Sequence, residues 1–82
     1  MPISPDSVAS AYAFFHQKWR IYAHSTIPSQ RDDIEYAISS YVDSMDRDLY
    51  HCLSQGRSDF LMTHSRFAED MTQALFMLEE KL

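Results

Sequence analysis

Residues 60–82 read FLMTHSRFAEDMTQALFMLEEKL, and Phe60, His64, Phe67, Met71, Leu75, Leu78 and Leu82 recur along them at steps of four and three. With 3.6 residues to a turn, this spacing keeps one face of an α-helix apolar. Ala74 lies beside the seam, and Ser58 with Asp59 supplies the side-chain acceptors that helix starts prefer. The pattern predicts a helix over about 59–81.

Two further seams precede it. Ile34, Ile38, Tyr41, Met45, Leu49 and Cys52, widened by Ala37 and Val42, predict a helix over about 29–53. "SQRD" at 29–32 is a weak capping-box variant at its start, and Gly56 is the natural left-handed residue after its end. Val8, Tyr12, Phe15, Trp19 and Tyr22 predict a helix over about 5–24. It is entered through Ser4, Pro5 and Asp6, which suit the cap, the first helical position and the positive end of the helix dipole. Pro28 marks its far limit, because the residue before a proline is biased away from helical geometry.

Three segments of about 20 residues, each roughly 30 Å long, are joined by short connectors that favour antiparallel neighbours. The expectation is therefore all-α: an up-down-up three-helix bundle forming a single domain over 1–82. The alternative is a long helical hairpin, with the first helix packing elsewhere or exchanged between chains of a dimer.

Composition supports helices over strands. One glycine and three prolines leave little punctuation for tight turns, and 45% apolar residues give too much burial potential for a disordered chain. Twelve acidic and seven basic residues give a formal net charge of −5, and the bases are spread along the chain. Nucleic-acid binding draws most of its affinity from clustered Lys and Arg, so no nucleic-acid partner is expected. No stretch approaches the roughly 20 apolar residues that span a bilayer. The opening MPISPDSVAS has neither a basic nor an apolar leader-like run, and the one cysteine, Cys52, has no internal disulfide partner. A cytoplasmic location without membrane attachment is the expectation.

The seams leave apolar residues over. In the third helix Phe76 falls about 160° from the seam centre, with Met62 near it and Met77 on the flank. In the first, Phe14 and Ile21 fall roughly 110 to 130° off centre. Wide apolar arcs are normal in bundles, so Phe14, Ile21 and Met77 also fit the edge of a broad core. Phe76 fits least well. Aromatic residues and Met are enriched at the centres of protein interfaces, so Phe14, Ile21, Met62, Phe76 and Met77 are the candidate interface. The function expected is that of a small acidic helical protein acting through protein–protein contacts: self-association as a homodimer, or service as an adaptor, a chaperone-like partner or an inhibitor of a larger protein.

Chemistry is harder to find. Helical metal sites need His pairs at i, i+4, or Glu-x-x-His on each of two helices, and His16, His24, His51 and His64 provide neither. His51 and Cys52 project about 100° apart and form no dyad. With no glycine-rich phosphate loop and no nucleophile elbow, neither an enzyme nor a cofactor is expected. Two residues are out of place on the seams, His64 on the third and Asp48 near Tyr41 and Cys52 on the second. They support a rival reading, a small-ligand-binding bundle whose pocket is lined by Tyr12, Trp19, Tyr22, Tyr41, Asp48 and His64.

Overall fold

The computed structural model describes residues 3–82. Four α-helices, α1 (Pro5–His24), α2 (Pro28–Ser44), α3 (Arg47–Ser54) and α4 (Phe67–Lys81), account for most of them, with a 3-10 turn at His64–Arg66 and no strand among the described residues. The chain is an all-α bundle.

The start of α1 follows its sequence signals. Ser4 Oγ accepts the Asp6 N–H at 3.2 Å and Pro5 occupies the first turn. The helix buries Val8, Ala11, Phe15 and Tyr22 along one stripe. Its end comes where Ser25 turns extended, and Pro28 opens α2. The two helices run antiparallel: the Phe14 and Phe15 rings meet Tyr41, while Tyr22, two turns further along α1, reaches back to Glu35.

The second predicted helix is broken in two. Met45 leaves helical geometry with ψ of 168°, and Asp46 begins a new helix by accepting the N–H groups of Asp48 and Leu49 at 2.9 and 3.1 Å. Arg47 secures the joint from the other side, its guanidinium donating to the Val42 and Asp43 carbonyls at 2.6 and 2.7 Å. Those carbonyls belong to the last turn of α2, where helical acceptors lack intrahelical donors. An aspartate cap and an arginine on the preceding carbonyls together outweigh continuation of the helix.

The third predicted helix starts late, at Phe67 instead of about residue 59. Asp70, 1% exposed, reaches out of α4 and takes the backbone N–H of Leu61 at 2.9 Å together with both terminal nitrogens of Arg57 at 2.9 and 3.4 Å. The N–H of a helical Leu61 would donate to the carbonyl of residue 57. Here it serves Asp70, and Leu61 takes a left-handed φ of 62°. Phe60 and Leu61 are thus buried from a loop, and the Tyr50 hydroxyl holds that loop by donating to the Phe60 carbonyl at 2.9 Å. The carboxylate of Asp70 holds the Arg57 guanidinium above its already high ordinary pKa, chiefly through their hydrogen bonds.

α4 packs most extensively on α1, and Phe67 at its start meets Tyr22 near the end of α1 with ring centroids 5.0 Å apart. α3 lies against α4, where Gln73 donates to the Leu53 carbonyl at 2.9 Å. One core results, built on Phe15, Ile38, Leu53, Phe60, Met71 and Leu78, and no buried side-chain N or O atom lacks a hydrogen-bond partner among the described residues. None of the described helices is long and apolar enough to cross a membrane.

Candidate functional site

Polar groups from three elements converge at Glu35, in the third turn of α2. Its side chain is 16% exposed, accepts the Tyr22 hydroxyl at 3.2 Å and presents both carboxylate oxygens to His64 Nδ1 at 2.9 Å. Tyr22 is a core residue, so it donates from a fixed position. Asp32 stands one helical turn before Glu35, and one donor atom each from Asp32, Glu35 and His64 lie within 4.8 Å of one another. An open cleft lies beside them, lined by Ser25, Thr26, Pro28, Arg31, Asp32 and His64. The Arg31 guanidinium lies over the Tyr22 ring, 4.1 Å from its centroid, and donates to the Ser25 carbonyl at 3.4 Å. The cleft itself offers the Asp32 carboxylate, the His64 imidazole and the Arg31 guanidinium, and the Glu35 carboxylate adjoins it through His64.

The pocket expected around His64 does not form as anticipated. His64 is in the 3-10 turn with its side chain 77% exposed, because the helix that would have carried it inward starts only at Phe67. Asp48 is exposed as well: the break at Met45–Asp46 resets the helical phase and turns it to solvent in the first turn of α3, where the dipole favours an acid. Tyr12, Trp19 and Tyr41 are half-buried packing residues and Tyr22 is buried. Tyr12 stacks on His16, Trp19 on Tyr22 and Tyr41 on Phe14. The cleft at Tyr41, bounded by Asp6, Ser10, Ser44 and Met45, is separate from the one at His64. Of the six, the structure brings together only Trp19, Tyr22 and, through Glu35, His64.

The five candidate interface residues divide. Phe76 is 62% exposed, Met62 45% and Ile21 42%. Phe14 is half-buried, its ring stacked 4.3 Å from Tyr41 with the Lys18 ammonium over it, so most of its surface is engaged within the chain. Met77 is half-buried against the core, with its sulfur 4.0 Å from the Gln55 amide nitrogen. Ile21 borders a shallow groove along the outer side of α1 with Ala13, His16, Gln17, Arg20 and His24.

Sequence reasoning passed over Asp32 and Glu35. Their i, i+3 spacing was a usable signal, but the third member approaches from 29 residues beyond Glu35 in a segment expected to be helical. Comparison with protein-family models, curated proteins and solved structures finds no match for this chain.

Proposed function

We propose that this protein works by protein–protein contact, with a second copy of itself as the first partner, through a surface centred on Phe76. The observation that supports the reading is the 62% exposure of this ring on a helix whose neighbouring positions Ala74 and Leu78 are fully buried. Burying a phenyl ring contributes on the order of 2 to 3 kcal/mol, and the chain's own core is complete without it. Ile21 and Met62 add exposed apolar area of the types that interface centres favour. The adaptor, chaperone-like and inhibitory roles all draw on such a surface, and none of them requires catalysis. A reducing compartment such as the cytoplasm agrees with the free, half-buried thiol of Cys52.

Sedimentation equilibrium over a wide concentration range tests the reading. The expected result is a reversible dimer in the parent protein and a monomer in the Phe76→Glu variant, with unchanged helical circular dichroism in both. A parent protein that stays monomeric throughout, with solubility equal to that of Phe76→Glu, would overturn it.

A further inference from the structure

We propose that Asp32, Glu35 and His64 form a site for a divalent transition metal of the zinc type. The site would join α2 to the 3-10 turn ahead of α4. Asp32 and Glu35 project from successive turns of α2, and His64 brings an imidazole to them, so that donor atoms from all three lie within 4.8 Å of one another. Donors on tetrahedral zinc, bound at about 2.0 to 2.1 Å, sit roughly 3.3 Å apart. Both Asp32 and His64 are exposed, so rotation of their side chains closes that difference without moving the backbone.

Three features favour a metal over a simple ion pair. The ligand set is mixed: an imidazole nitrogen with two carboxylate oxygens suits zinc-type ions, whereas calcium and magnesium prefer oxygen alone. Glu35 already has an outer partner, since the buried Tyr22 hydroxyl donates to its Oε2 at 3.2 Å and fixes the carboxylate as supporting hydrogen bonds do at metal centres. The adjoining cleft is open, which leaves room for water to complete the coordination. The Arg31 guanidinium lines the same cleft and opposes a dication, but two carboxylates outnumber it and it is held over the Tyr22 ring and toward the Ser25 carbonyl.

In the metal-free protein His64 Nδ1 faces the Glu35 carboxylate. Metal binding takes the Nδ1 lone pair: a neutral ring, whose Nδ1–H donates to Glu35, first moves that proton to Nε2 by exchange with solvent, and a ring protonated on both nitrogens releases the Nδ1 proton to solvent. The ion then replaces the His64–Glu35 hydrogen bond with three coordinate bonds and pins residues 58–66 to α2.

Calorimetric titration of the folded chain with zinc alone, followed by titration with cobalt(II) monitored by visible absorption, provides the test. The expected result is saturable binding of one ion per chain, weakened at least about tenfold in His64→Ala and preserved in a variant carrying His16→Ala, His24→Ala and His51→Ala together. Nitrogen-15 imidazole spectra should show the His64 resonances moving on zinc addition while the other three histidines stay in place. An absence of saturable binding, equal affinity in His64→Ala, or displacement of zinc by calcium at comparable concentration would each overturn the proposal. Circular dichroism of His64→Ala separates loss of a ligand from loss of the fold, and dimerisation through Phe76 plays no part in the readout.

Discussion

The carboxylate of Asp70 lies 2.9 Å from the backbone nitrogen of Leu61, a residue in left-handed geometry, and binds Arg57 with its remaining lone pairs. A buried acid is costly unless its charge and lone pairs are satisfied. Here one side chain is fully partnered and in turn fixes the course of residues 57–63.

Replacing Asp70 with Ala removes the acceptor of the Leu61 N–H and leaves Arg57 with Asp59 as its remaining carboxylate partner. The expected loss is about 1 to 3 kcal/mol, the scale of leaving a buried backbone N–H without its acceptor. Urea unfolding measures it, and a loss within experimental error of zero would mean that the loop holds its course without this residue.

Asp46→Ala leaves the N–H groups of Asp48 and Leu49 without their side-chain acceptor. An N-cap of this kind contributes about 1 kcal/mol. The variant should unfold at correspondingly lower urea concentration, with the fall in helical circular dichroism confined to what the eight residues of α3 can supply.

Gln55 closes α3 with φ of 54°, and its side chain is exposed. Left-handed geometry costs a side-chain-bearing residue roughly 1 to 2 kcal/mol. Glycine escapes that cost but gives back part of it as backbone entropy. Gln55→Gly should therefore stabilise the protein, by about 0.5 kcal/mol net, read as a rise in the thermal midpoint.

Burial pushes the Tyr41 phenol above its ordinary pKa, and burial does the same at Tyr50, where Arg47 works against it. Folded chains thus hold these protons to higher pH than unfolded ones. Above a pH of about 10 the unfolded state binds fewer protons, and stability falls as pH rises from there. Tyr41→Phe keeps the ring stacked on Phe14 and should flatten part of this alkaline fall while leaving neutral-pH stability nearly unchanged. Urea midpoints at neutral and alkaline pH provide the comparison.

Helical periodicity made the bundle legible, and at α1 it reached the boundaries, because Ser4, Pro5 and Pro28 act within a few residues of where they stand. It was least informative where a side chain competes with the helical pattern for backbone groups. Met45 and Leu49 continue an apolar seam, yet Asp46 caps and Arg47 binds carbonyls behind it, so the phase is lost between them. Phe60 and His64 also fit a repeat, but Asp70 takes the Leu61 N–H. The shifts at Asp48 and His64 follow from these two interruptions, and so does the assembly of Asp32, Glu35 and His64, which needs His64 off the seam. Phe76 was readable from its angle alone, since α4 is continuous around it.

The shortness of α3 bears on how the molecule forms. Eight residues fall below the dozen or so at which an isolated helix is even marginally populated in water. Its stability must therefore come from packing, and α1 and α4 are the elements that pack most extensively together. Segment 47–66 holds only this short helix and a 3-10 turn, and depends on the helices it packs against. In the native state its amides should exchange with solvent deuterium soonest, through local openings that leave the α1–α4 pair intact.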